Sequence, residues 1–258
     1  MTFLQVILLS FVQGITEFLP VSSSGHLVLV PAFLKFAVKP SIFFDVTLHL
    51  GTLFAVVAFL WKDIVHIIDG ICQGKKEHWI LIFKLIVAVL PAAVIGFLLN
   101  DYIEIIFENP LFVGYAYFGT ALLLFLTIFL KDKGKTMFTI TWWDALVIGL
   151  FQACALVPGF SRSGFTLVGA LVVGMKKKDA FRFSFLIAIP AILGAFLFKL
   201  PEMQMDSGMS FYVVGFLVAM IVGFFSLILL KLILKKSRLY LFAIYCLLLA
   251  ILTVWKFQ

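Results

Sequence analysis

The chain reads as an all-α polytopic membrane protein, with six transmembrane helices plus two re-entrant helix-loop-helix hairpins in an inverted-topology repeat. Three observations predict this. First, 64% of the 258 residues are hydrophobic and 13% charged, with mean hydropathy +1.18, whereas a soluble domain is nearer half apolar and a quarter charged. Second, six apolar runs have about the 20 residues that a helix needs to cross the hydrocarbon core. Third, two further apolar stretches are each interrupted by small polar residues, and the two interruptions match. No hydrophilic stretch is long enough for a second, soluble domain, so residues 1–258 are read as one integral-membrane domain. Cys72, Cys154 and Cys246 show no pair spacing, which indicates neither a disulfide framework nor a zinc site. No basic n-region or small-residue cleavage pattern marks the N-terminus, so no removable signal peptide is expected.

In chain order, residues 2–34 form the first broken stretch, interrupted by "LPVSSSGH". Three unbroken runs follow, at 43–61, 80–99 and 111–130. Residues 142–175 form the second broken stretch, interrupted by "VPGFSRSG", and three more runs follow at 180–198, 211–230 and 239–255. The arms after the interruptions, 24–34 and 164–175, would reach only about 16–18 Å as helices. Such arms stop near mid-bilayer, which is tolerable where the loop is buried in protein or lines a wet cavity. An offset of 139 residues aligns Gln13 with Gln152, Ser22 with Ser161, Ser24 with Ser163 and Gly25 with Gly164, without gaps. Three crossings between the copies would invert the second relative to the first, giving repeats of about 1–130 and 142–256 with loops meeting near the midplane.

Basic residues set the orientation. The loops at 62–79, 131–141, 176–179 and 231–238 carry thirteen Lys and Arg, from Lys62 to Arg238. The opposite side has Lys35, Lys39, Lys199 and Lys256, together with the acidic residues Asp101, Glu104 and Glu108. The positive-inside rule places the first set in the cytoplasm and both termini outside. The net charge of +7 is then a topology signal, and no nucleic-acid binding is expected.

The two interruptions carry the chemistry. Ser22, Ser23 and Ser24 are good N-cap residues for the first arm, as Ser161 and Ser163 are for the second. A helix N-terminus offers free N–H groups and partial positive charge to an anion. Two such ends facing each other, with Arg162 between them, suit a phosphate or pyrophosphate. Glu17 shares a helix face with Gln13, four residues earlier. An acid and an arginine at such depth are expensive in a bilayer, and by default functional.

"QGITEFLPVSSSGH" and "VPGFSRSGFT" resemble the two signature motifs of the undecaprenyl-diphosphate phosphatase family, also called bacitracin-resistance proteins. Length, span count and the segment "RFSFLIAIPAILGA" extend the resemblance over essentially the whole chain. The resemblance implies removal of the terminal phosphate from C55 polyprenyl diphosphate, which recycles the lipid carrier of cell-wall synthesis and confers bacitracin resistance. It also implies a divalent-metal requirement (Mg²⁺ or Ca²⁺) and a place in the bacterial cell membrane, with an active site opening to the outer face. The implied site residues are Glu17, Ser22, Ser23, His26, Ser161, Arg162 and Thr166. Gln13 stands where many members have a second Glu, which leaves Glu17 as the one carboxylate in either motif.

The mechanism expected from these residues has Arg162, the amides of Ser161, Ser163 and Gly164, and the Thr166 hydroxyl holding the diphosphate. Gln13, Ser22, Ser24 and Gly25 line the first side of the same site. Ser23 is the candidate nucleophile, with Glu17 or His26 as its base, and direct attack by water is the rival. Glu17 and the diphosphate would share the metal. The partners expected are the polyprenyl diphosphate and membrane lipids, and a homodimer is left open. Blander roles stand beside these: the serines as plain caps, Glu17 as a structural buried acid with Arg162 as its ion-pair partner, His26 on a backbone carbonyl, and Thr166 bonding its own helix. Asp45 and His49, one turn apart in the first full span, would line the cavity, pair with each other or snorkel to the outer interface. Broken helices in inverted repeats also suit a transporter or flippase of a polyprenyl phosphate. An acid-phosphatase type of lipid phosphatase would need a histidine six residues after the arginine, where this chain has Val168.

Overall fold

The computed structural model describes residues 1–37, 41–100, 102, 109–202 and 208–258. Lys39, Asp101, Glu104 and Glu108, which entered the charge count for orientation, lie outside them. Eleven α-helices form among the described residues: α1 Phe3–Phe18, α2 Ser23–Leu34, α3 Ile42–Phe59, α4 Trp61–Cys72, α5 Lys76–Leu98, α6 Pro110–Leu126, α7 Trp142–Cys154, α8 Arg162–Val172, α9 Lys177–Lys199, α10 Met209–Lys235 and α11 Tyr240–Phe257. Apart from one isolated bridge between Lys135 and Met175, the described residues hold no β-structure.

Local chemistry sets many of the boundaries. Thr2 and Gln5 form a capping box for α1, and Thr141 and Asp144 form one for α7. Asn109 caps α6 with Pro110 at the first helical position. Leu19, held out of the helical region by the following Pro20, ends α1 in an extended conformation. Gly159 turns the loop before α8 with φ +93°, and a Cβ there would lie 2.7 Å from the carbonyl oxygen of Val113.

Five helices (α3, α5, α9, α10 and α11) are long and apolar enough to cross a membrane, with hydropathy from 1.9 to 2.9. Only 28–44% of each spanning window is buried inside the protein. The remaining surface is apolar and faces outward, with Phe54, Phe83, Val94 and Phe225 exposed, as lipid contact requires. The chain is a multi-pass, all-helical membrane protein. The expected run 111–130 is a helix of 17 residues, Pro110–Leu126, and it ends four residues early in turns at Thr127–Phe129. The expected loop 62–79 contains a helix instead, α4. Ile64, Ile67, Ile68 and Ile71 recur at helical spacing there, a stripe obscured by the flanking charges.

The helices pack α1 on α10, α10 on α3, α5 on α7 and α6 on α11. Small residues let backbones approach. A Cβ on Gly51 of α3 would lie 2.4 Å from the Phe216 carbonyl oxygen, and one on Gly149 of α7 would lie 2.7 Å from that of Ala88. At the lysine-rich end, an ion pair of Lys135 with Asp144 (2.8 Å) ties the loop before α7 to that helix, and one of Arg182 with Asp63 (3.0 Å) ties α9 to α4.

Candidate active site

The two interruptions form equivalent helix starts. Ser22 caps α2 by accepting the Gly25 N–H at 3.2 Å, and Ser161 caps α8 by accepting the Gly164 N–H at 3.2 Å. The second serines sit close by, with Ser24 Oγ 3.4 Å from Ser22 Oγ and Ser163 Oγ 3.2 Å from Ser161 Oγ. His26 N–H and Phe165 N–H go to the carbonyls of Ser22 and Ser161. The amides of Ser23, Ser24, Arg162 and Ser163 therefore have no partner from their own helix turn. The loops also touch: Ser163 Oγ donates to the Leu19 carbonyl at 3.1 Å, and a Cβ on Gly164 would lie 3.2 Å from Pro20 Cβ.

Glu17 lies between the two starts, 4% exposed. Arg162, the first residue of α8, donates through Nη2 to Oε1 in an ion pair. Ser23, the first residue of α2, donates to Oε2 at 2.6 Å. Gln13 Nε2 donates to the same oxygen at 2.9 Å. The carboxylate is thus held by the first residues of two facing helices, and it neutralises Arg162 where an isolated charge would be costly. The Arg162 side chain is 24% exposed, and its remaining N–H groups are free in number to fork onto phosphate oxygens.

Two expected site residues are turned elsewhere. His26 is buried with both ring nitrogens engaged: Nδ1 lies 2.7 Å from the Ser22 carbonyl and 2.7 Å from Tyr117 Oη, and Nε2 lies 2.7 Å from Tyr245 Oη. Thr166 donates to its own helix at the Arg162 carbonyl, 2.8 Å away, and meets the Ser184 hydroxyl. For both residues the blander, backbone-bonding role describes the contacts. Of the roles open to Asp45 and His49, lining the cavity describes His49. His49 Nδ1 lies 3.0 Å from Gln13 Nε2 and 3.4 Å from Glu17 Oε2, while Asp45 Oδ1 is buried without a hydrogen-bond partner. His49, Tyr117 and Tyr245 are the site neighbours that motif reading misses. Of the three, only His49 gave an advance signal, its place one helical turn after Asp45.

No three His, Cys, Asp or Glu side chains among the described residues gather closely enough to hold a metal alone. The oxygen donors nevertheless suit a hard cation. Gln13 Oε1 is buried without a partner, on an amide whose nitrogen bonds Glu17. Mg²⁺ and Ca²⁺ take such carbonyl and carboxylate oxygens, completing the shell with substrate oxygens and water. Glu17 and Gln13 fit that donor set.

A family model, bacitracin resistance protein BacA, matches residues 6–252. Curated relatives span the chain almost completely. A protein of Thermosipho africanus named undecaprenyl-diphosphatase is 44% identical, over 95% of this chain and 96% of its own length. One of that name from Moorella thermoacetica is 40% identical over 100% and 98%, and one from Methanococcus vannielii is 41% identical over 96% and 98%. With the two capped helix starts converging on a single carboxylate, this similarity over the full length means that the chain belongs to the bacitracin resistance protein BacA family.

Proposed function

We propose that the protein hydrolyses undecaprenyl diphosphate to the monophosphate and inorganic phosphate at the site around Glu17. The observation that carries this reading is the Glu17 carboxylate held at once by Arg162 from α8 and Ser23 from α2. The names of its relatives support the same activity.

The diphosphate lies at the two helix starts, on the amides of Ser23, Ser24, Arg162 and Ser163 and on the guanidinium. Ser23 Oγ attacks the terminal phosphorus, and its proton passes to Glu17 Oε2, to which it already points. The bond from that phosphorus to the bridging oxygen breaks, and the lipid monophosphate leaves. Water then attacks the phosphoserine, giving inorganic phosphate and restoring the hydroxyl. The Arg162 charge and the helix starts stabilise the equatorial oxygens, so positioning and electrostatics supply most of the rate. A divalent cation held by Glu17, Gln13 and the diphosphate would neutralise charge developing on the phosphate oxygens.

The architecture that serves this site is six crossings plus two re-entrant hairpins, α1–α2 and α7–α8, in one domain of inverted repeats. At about 17–18 Å, α2 and α8 are too short to cross. The packing supports the repeat: α1 rests on α10 of the other half, and α7 rests on α5 of the first. The lysine-rich loops lie in the cytoplasm, the termini lie outside, and the site opens outward.

The test is inorganic phosphate release from a polyprenyl diphosphate by purified protein in detergent, with and without EDTA. Release that EDTA suppresses is expected. Binding of the lipid diphosphate without release would overturn the reading in favour of lipid carriage.

A further inference from the structure

We propose that Tyr117 and Tyr245 are positioning residues for the reaction: through His26 and the Ser22 carbonyl they hold the backbone that aims Ser23 at Glu17. This rests on the reading of Ser23 as the attacking group.

Ser22 has φ +66° and ψ 95°, a backbone region that an L side chain rarely adopts, at a cost of roughly 1–3 kcal/mol. Capping does not require it. Ser161 caps α8 through the same bond, also 3.2 Å long, with φ −89° and ψ 112°, an ordinary extended conformation. The difference lies in the residue after the cap. Ser23 must turn its hydroxyl onto Glu17, and the surroundings hold Ser22 where this is possible.

The holding groups converge on one oxygen. The Ser22 carbonyl accepts the Tyr117 hydroxyl at 3.1 Å, lies 2.7 Å from His26 Nδ1, and accepts the His26 backbone N–H at 3.2 Å. One assignment of protons satisfies the group: Tyr117 Oη–H and His26 Nδ1–H donate to the carbonyl, and Tyr245 Oη–H donates to Nε2. The Tyr117 ring is fully buried and stands edge-on to the imidazole, with centroids 5.7 Å apart, while the Tyr245 ring lies parallel to it. Gly25 makes room for this arrangement, since a Cβ there would sit 2.7 Å from Tyr117 Oη. At the corresponding place in the second copy stands Phe165, which has no ring nitrogen to hold a carbonyl. The clamp belongs only to the side that carries the serine.

Release of the clamp lets Ser22 relax and moves Ser23 Oγ off Glu17. Misplacement of a reacting group by about 1 Å costs on the order of 10²-fold in rate. The experiment is a cycle of Tyr117→Phe, Gly25→Ala and the double variant in the purified full chain, with Tyr245→Phe beside them. kcat and KM are read for phosphate release from a polyprenyl diphosphate. Each single variant is expected to lower kcat with KM near the wild-type value, and the double variant to lose no more than the worse single, because both remove one contact. Unchanged kcat in Tyr117→Phe, or losses that multiply in the double variant, would overturn the proposal. If Gly25→Ala fails to fold, Tyr245→Phe decides. It removes one oxygen from a side chain 44% exposed, and unchanged kcat there also overturns the clamp. Ser23→Ala separates the two readings. Near-normal turnover in it sinks the serine nucleophile, whereas low residual turnover that Tyr117→Phe leaves unaltered shows the clamp acting through Ser23.

Discussion

Glu17 carries three hydrogen bonds on two oxygens, each from a different chemical type: guanidinium, hydroxyl and amide. Replacing it tests the base role most directly. Glu17→Gln keeps the size and shape while removing the proton acceptor, and turnover is expected to fall by about 10²–10⁴-fold, with a non-hydrolysable lipid diphosphate still bound. Arg162→Lys keeps the charge but loses the planar fork that serves Glu17 and phosphate together. Phosphate release should fall by about 10²–10³-fold, and turnover near wild type would remove Arg162 from the site. Glu17, Ser23 and Arg162 stood out in the sequence because Ser23 and Arg162 sit in the polar breaks and Glu17 lies within one turn of the first, where lipid tolerates no idle charge. Tyr117 and Tyr245 were not. Each lies in an ordinary apolar helix, 91 and 219 residues from the histidine it bonds. His49 was visible as an oddity in a span, but its partner across the helix interface was not.

Individual helices owe their contacts as much to missing side chains as to present ones. The approach of α3 to α10 passes over Gly51, where a methyl group would meet a backbone carbonyl rather than a movable side chain. Gly51→Ala must therefore push the helices apart, and unfolding in detergent should show a loss of about 1–3 kcal/mol. An unchanged unfolding midpoint would mean that the interface is looser than this geometry. The breaks in the two apolar stretches were readable because proline and serine act locally on the backbone: Pro20 ends α1, and Ser22 and Ser161 start α2 and α8. Helix α4 was hidden because Lys62, Asp63 and Asp69 mark its neighbourhood as a loop, while Ile64, Ile67 and Ile71 pack it against the rest of the protein.

For the whole molecule, the strongest sequence signal was compositional, and the outward-facing apolar surface of the spanning helices explains it. Orientation rests on the uneven distribution of basic residues between the loops. Single cysteines at Lys133 and Lys177, in a chain cleared of its own cysteines, should be labelled by a membrane-impermeant thiol reagent only after the cells are opened. Labelling of intact cells would invert the topology. The two capped starts are alike in their serines and glycines, yet the offset that superposes them sets Ser23 on Arg162 and Glu17 on Leu156. At these two positions, two copies of the first half would gather two hydroxyls and two acids with no cation, and two copies of the second would gather two cations with no acid. In the proposed repeat arrangement, catalysis depends on the two halves being unlike, each supplying what the other lacks. Neither half made as a separate polypeptide should turn over substrate, and activity should return only when both are assembled in one membrane.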